Sequence, residues 1–476
     1  KKMVIALVAM LVIGCKNENQ STQTATSKEI AKFSPEVEES AVIYEVNIRQ
    51  YSPEGTFNAF TKDIPQLKEL GVKIIWVMPI FPISQTKRKA TGGDDSKFAS
   101  EMPKEEQHKY LGSYYAVSDF KKVNPEFGTI EDFRNLVKTA HDNGIYVILD
   151  WVPNHTGWDH VWIKNHPEYY TKNAKGEIID PINPETGKSW GWSDVADLNY
   201  DNQGLRKEMT SDMLHWVKNE NIDGFRCDVA GNVPLDFWQQ AIPQLRKEKN
   251  IFMLAEAWEP ELLKDGLFDM AYGWEAHHTM NRIAQGKNTV KEWDAYIKKV
   301  NKDYEADDIL MNFVDNHDEN SWNGTIKGRL GKGEEAMTAL SYVMPGMPLI
   351  YSGNEYGLNH SLKFFEKDSI PKTKGKDWEL RAKLGKLKSE NLALNGGKSK
   401  ANYTRIKTDD DANVLAFVRE KNGKKVVYIA NFSNNPIKTK VGIKGEFTNY
   451  MTGEKMKLNE KQIFSIEPWQ YYILTE

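Results

Sequence analysis

Cysteine is almost absent: a chain of 476 residues carries two, Cys15 and Cys227, too few for the bridged frameworks that hold small secreted domains together. Neither sign of charge is in excess. With 63 basic and 67 acidic side chains and a formal net charge of −4, the chain has no clustered positive field of the kind nucleic-acid binding rests on. The apolar run at residues 3–13 falls well short of the roughly 20 residues a spanning helix needs. No internal repeat is present, and no Asp-x-Asp-x-Asp-Gly calcium loop. The pair His277-His278 lacks the helical spacing of metal ligands. What the chain does have is aromatic surface, 14 Trp and 20 Tyr, whose flat rings suit either ordinary packing or the apolar faces of sugars.

Lys1 and Lys2 stand before the run at 3–13, which ends in Gly14-Cys15. A basic start, a short apolar run and a small residue make a secretory signal. The stretch Val12-Ile13-Gly14-Cys15 resembles a bacterial lipobox, in which Cys15 carries the lipid that fixes the protein to a membrane. Residues 16–40 are rich in Ser, Thr, Asn, Gln, Lys and Glu without apolar periodicity, as expected of a flexible tether. The expected location is the cell envelope, lipid-anchored at the outer membrane of a Gram-negative bacterium. Cys227 is then left without a partner and reads as a small buried apolar residue.

From about residue 41 short β-branched runs alternate with longer amphipathic segments, the pattern of parallel strands joined by helices. Eight strands are predicted, at 42–48, 73–78, 145–150, 222–228, 251–256, 268–272, 309–314 and 348–351. Helices are predicted at 57–70, 130–143, 204–220, 289–302 and 334–344. The fold class is α/β: a (β/α)8 TIM barrel formed by 41–151 and 204–394. Its two long gaps, 81–128 and 151–203, follow strand ends on one rim, and 152–203 is read as an inserted domain. After residue 395 alternating strands at 414–419, 426–432 and 470–474, with the turn Asn422-Gly423, predict a C-terminal all-β sandwich domain over 395–476.

Barrels of this kind build their sites on the C-terminal rim, so carboxylates at strand ends are the search target. The fourth strand ends Gly224-Phe225-Arg226-Cys227-Asp228, and side-chain alternation puts Arg226 and Asp228 on one side. A guanidinium there is expected to keep Asp228 ionised, as a nucleophile requires. The fifth strand ends in Glu256 after an apolar run, where burial and the Asp228 charge favour the protonated form that suits an acid. The seventh is followed by Asn316-His317-Asp318. Hydrolysis of a glycosidic bond uses such a pair, one carboxyl group protonating the leaving oxygen and the other attacking the sugar.

Asp150-Trp151-Val152-Pro153-Asn154-His155, Gly224-Phe225-Arg226-Cys227-Asp228, Glu256 and Asn316-His317-Asp318 occur in order and at suitable spacing. Together with Val195-Ala196-Asp197-Leu198-Asn199 and residues 346–355, they resemble the α-amylase family of glycoside hydrolases. The resemblance covers residues 42–395. It implies Asp228 as nucleophile, Glu256 as acid and then base, and Asp318 as the carboxylate that grips the ring hydroxyls. Arg226, His155 and His317 are implied as sugar contacts, and Tyr115, four residues before Asp119, as the stacking platform. Asp150 reads as a structural hydrogen-bonder beneath them. The family also implies calcium between barrel and insertion, with Asn154 and Asp197 at two ligand positions; hydrogen bonding of the insertion to the barrel is the other reading of these two. Where amylases often carry Lys-His after the nucleophile, this chain has Gly231-Asn232, which changes a backbone ligand and the acceptor side. The expected activity is hydrolysis of α-1,4-glucosidic bonds in starch or maltooligosaccharides with retention. A maltooligosaccharide transglycosylase or α-glucosidase on the same carboxylates stays open, as does a non-catalytic glycan-binding lipoprotein.

Overall fold

A computed structural model describes residues 33–476 apart from Asp94 and Pro184. The signal, Cys15 and the first part of the tether lie outside the described residues. Eight parallel strands close a barrel: β1 Val42–Val46, β2 Val72–Val77, β3 Tyr146–Trp151, β4 Gly224–Cys227, β5 Phe252–Ala255, β6 Met270–Tyr272, β7 Ile309–Asn312 and β8 Met347–Tyr351. Each pairs with its sequence neighbours and β8 returns to β1. All eight strands expected from the sequence are present, and the helices Ile130–Asp142, Gln203–Asn219, Val290–Asp303 and Glu334–Val343 fall where their periodicity puts them. The stretch expected as one helix at 57–70 is instead two pieces, Phe57–Thr61 and a 3-10 segment Ile64–Leu70. Pro65 stands at the start of the second, where it cannot donate to the turn before it.

The period of two along each strand sorts the barrel interior into layers. Ile43, Ile74, Ile148, Leu254 and Met270 fill the lower interior. Two residues further along the same strands stand Glu45, Trp76, Asp150, Glu256 and Tyr272, with Arg226 two after Gly224. One layer of apolar side chains thus supports one layer of polar ones. Gly224 is required for this. Its φ is +147°, and a Cβ there would lie 1.8 Å from the carbonyl oxygen of Phe252, so only glycine lets β4 approach β5 where Arg226 enters the interior.

The tether ends sooner than residue 40. Phe33 is buried, packing against Tyr146 and Phe252 at the base of the barrel with ring centroids 4.9 and 5.2 Å away, and Pro35–Ser40 is helical. One aromatic residue in a polar run gives no periodic signal, which is why the sequence does not show this plug. After β3 the insertion opens with the antiparallel pair His155–Gly157 and Val195–Asp197. The C-terminal region is a six-stranded antiparallel sheet and a two-stranded ribbon, Ile437–Lys440 with Ile463–Ile466, sharing one apolar core.

Candidate active site

The C-terminal ends of the strands open into a cleft of about 800 Å³ whose walls include Tyr115, His155, Asp228, Glu256, His317 and Asp318. At its floor the Arg226 side chain is fully buried. Nη1 donates to Asp150 Oδ1 and to Asp228 Oδ1, both at 2.9 Å, and Nε to Tyr272 Oη at 3.1 Å. Nη2 lies 2.9 Å from Glu256 Oε2, which also accepts the Val229 N–H at 2.7 Å. Val229, directly after Asp228, is β-branched yet left-handed, with φ 45° and ψ 42°; such a conformation costs about 1–3 kcal/mol and is found where the surroundings hold it for a purpose. Here it aims an N–H at Glu256.

One guanidinium therefore serves three carboxylates. Burial and the Glu256 charge push the Asp228 carboxyl well above the usual range, with Arg226 pulling the other way. Asp150 is raised to about 6 by burial against the same pull. The charge of Arg226, which the sequence sets beside Asp228, is thus shared among Asp228, Asp150 and Glu256. Asp150, read from the sequence as a structural hydrogen-bonder, accepts from Trp76 Nε1 at 3.0 Å and Tyr115 Oη at 3.2 Å besides Arg226.

His317 joins the two halves of the site. Nδ1 stands 2.6 Å from Glu45 Oε1 and Nε2 stands 2.8 Å from Tyr115 Oη, with Asp318 Oδ2 3.5 Å from Nε2. Burial would lower this imidazole, but Asp318 and Glu45 outweigh it and raise it to about 9. As an imidazolium it donates from both nitrogens, so Tyr115 Oη accepts from Nε2 and donates its own hydrogen to Asp150 Oδ2. The Tyr115 ring lies nearly parallel to His317, 5.5 Å between centroids. His155 is buried and, accepting from Asn154 Nδ2 at 3.2 Å, is lowered to about 3 by burial, so it is neutral.

Asn154 and Asp197 lie apart from the carboxylates, on a smaller cavity of about 340 Å³ that also takes in Thr171, Asn199 and Gly231. Asp197 is the strand partner of His155, and burial raises its carboxyl to about 6. No group of three or more His, Cys, Asp or Glu side chains arranged for a metal occurs among the described residues. His277 is buried, with Nε2 3.2 Å from Glu319 and Nδ1 3.1 Å from the Phe313 carbonyl. Cys227 is free and buried.

The sequence reading missed Glu45, Trp76 and Tyr272, which complete the polar layer. Glu45 carried the signal used for the others, a carboxylate near the end of a β-rich run. Trp76 and Tyr272 read as core.

Residues 18–422 match the family described as the α-amylase catalytic domain. The chain is 24% identical over 436 residues to the α-amylase MalA of Haloarcula japonica, covering 87% of this chain and 59% of that protein. It is 26% identical over 336 residues to a 4-α-glucanotransferase of Thermotoga maritima, covering 64% of this chain and 68% of that one. Its fold is similar to the crystal structure of a noncanonic maltogenic α-amylase, AmyB from Thermotoga neapolitana, with a TM-score of 0.79, 26% identity and coverage of 92% and 98% of the two chains. With the catalytic-domain match running through the barrel and the cleft just described, the chain belongs to the α-amylase family.

Proposed function

We propose that this protein is a retaining glycoside hydrolase that cleaves α-1,4-glucosidic bonds in starch or maltooligosaccharides. The observation that carries this reading is Arg226 gripping Asp228 and Glu256 at once, with Asp318 lining the same cleft. A glycosidic oxygen seated beside Glu256 accepts its proton while Asp228 attacks the anomeric carbon. The C1–O bond to the leaving sugar breaks and a glycosyl ester to Asp228 forms. Glu256, now ionised, takes a proton from water, the hydroxyl attacks C1, and Asp228 is released as carboxylate. Asp318 holds the ring hydroxyls and Tyr115 lies under the reacting sugar. Asp228→Asn should abolish turnover of soluble starch while leaving maltoheptaose binding and the thermal midpoint in place; substantial residual hydrolysis sinks the reading.

Transfer to a second sugar is the other reading, favoured by the 4-α-glucanotransferase relative and by Gly231, where a Cβ would meet Glu259 Oε2 at 2.7 Å. Gly231-Asn232 stands where amylases often carry a Lys-His pair, and Glu259 fills the space beside it. Products of maltoheptaose longer than the substrate would establish transfer. A purely glycan-binding role is disfavoured by the complete carboxylate set.

A calcium ion would be held by Asn154 and Asp197, tying the insertion to the barrel. Its support is a partly buried Asp197 carboxylate on the cavity it shares with Asn154. Export and anchoring through Cys15 at the cell envelope rest on the sequence of residues 1–15. No helix among the described residues is long and apolar enough to cross a membrane. Detergent partitioning of wild type against Cys15→Ala tests anchoring, equal behaviour counting against it.

A further inference from the structure

Asp318 enters the cleft just after β7, and the residues behind it, Glu319–Asn323, form a single π-helical turn. Such turns give up the regular helical ladder and recur at functional sites. This one is braced from both sides. Ser321 Oγ donates to the His317 carbonyl at 2.6 Å, Asn320 Nδ2 donates to the His360 carbonyl at 3.3 Å, and Asn320 Oδ1 accepts the Leu362 N–H at 2.8 Å.

The wide turn brings Trp322 back over Asp318, its indole Nε1 donating to Asp318 Oδ1 at 3.3 Å. The two carboxylate oxygens are thus divided, Oδ1 to the indole and Oδ2 toward His317. The ring is held at its back by Phe364 and Phe365, centroids 5.1 and 6.0 Å away. At its edge is Gly92, where a Cβ would lie 2.6 and 2.7 Å from two ring carbons. Yet 48% of Trp322 is exposed, and it lines the cleft. An indole clamped on two sides, open on the third and hydrogen-bonded to a carboxylate is built to meet something apolar and flat.

We propose that Trp322 is a positioning residue: its N–H sets the orientation of Asp318, and its open ring face takes the apolar face of a glucosyl unit, so that one side chain links sugar binding along the cleft wall to the grip on the transition state. The proposal rests on the role given to Asp318 above. It separates two functions of one ring. Trp322→Phe keeps the apolar face and removes the N–H; Trp322→Ala removes both.

On maltoheptaose, Trp322→Phe should lower kcat about fivefold to tenfold, the loss of one hydrogen bond to a partly exposed charge, with KM changed by less than about twofold. Trp322→Ala should lower kcat as much and raise KM as well. Acarbose binding by calorimetry provides the second readout. Trp322→Phe should weaken binding when Asp318 is present and have no further effect in Asp318→Ala, since the indole then has nothing to orient. Gly92→Ala, which pushes the ring from its seat without altering it, should reproduce the fall in kcat should Trp322→Phe fail to fold. Wild-type kcat in Trp322→Phe and Gly92→Ala, or equal effects of Trp322→Phe in both Asp318 backgrounds, overturns the proposal alone. A wild type inactive on every α-glucan overturns it together with the glycosidase reading.

Discussion

Glu45→Gln is the substitution that isolates charge from shape in this site. Glu45 is fully buried, with Oε1 2.6 Å from His317 Nδ1, while its Oε2 has no hydrogen-bond partner among the described residues. A glutamine can keep accepting the Nδ1–H through its own oxygen, removes the negative charge and sets an amide NH2 where Oε2 stands without a partner among the described residues. Hydrogen bonds to charged groups contribute about 1.5–3 kcal/mol and are roughly twice as strong as neutral ones, so the substitution withdraws about 1–1.5 kcal/mol. At 1.36 kcal/mol per pH unit that is close to one unit, which moves His317 from about 9 to about 8. Asp318, the other carboxylate raising it, remains. The folded imidazole stands above its unfolded value near 6.5, so its stabilising contribution is complete below that value and disappears as pH rises through about 9. In Glu45→Gln the disappearance comes about one unit earlier. Burial already pushes the Glu45 carboxyl up, against the pull of His317 and Arg226, so replacing it with a neutral group is compatible with folding. The measurements are kcat/KM on maltoheptaose and urea denaturation, each from pH 6 to 10. An alkaline limb that stays within a few tenths of a unit of wild type would refute the assignment of an imidazolium held between two carboxylates.

Phe33→Ala removes the plug under the barrel and should cost about 3–5 kcal/mol in urea denaturation, with kcat of the folded protein unchanged; a cost below 1 kcal/mol would show that Phe33 is not packed there. Gly224→Ala forces a Cβ into the Phe252 carbonyl and should yield no folded barrel, read by near-ultraviolet circular dichroism; a native spectrum would contradict the strand geometry. Chelation should lower the thermal midpoint of wild type and leave Asp197→Asn unmoved if calcium ties the insertion to the barrel, and equal midpoints with and without chelator in wild type would dismiss the ion.

The barrel is legible because its eight strands are β-branched runs of ordinary length, and Asp228, Glu256 and Asp318 are legible because each stands at or just past the end of one. Legibility fails where a feature depends on residues far apart in sequence. The break in the first helix is a local exception: Pro65 is plain in the sequence, yet the apolar pattern at 57–70 runs through it. Phe33 has no periodic neighbours, and the seat that holds Trp322 over Asp318 is made by Gly92, Phe364 and Phe365, all remote from it in sequence. The charge state of Asp228 is the sharpest case. Reading along β4, one guanidinium stands beside one carboxylate, and the pair balances. Across the barrel, strand register sets Asp150 beside Arg226, and Glu256, just past the end of β5, reaches its other nitrogen. The same period of two that makes the apolar layer gathers Glu45, Asp150, Arg226 and Glu256 above it. The protonation of Asp228 is consequently set across the barrel rather than along its own strand, and Glu45, which acts on both His317 and Arg226 in that layer, is the place to test it.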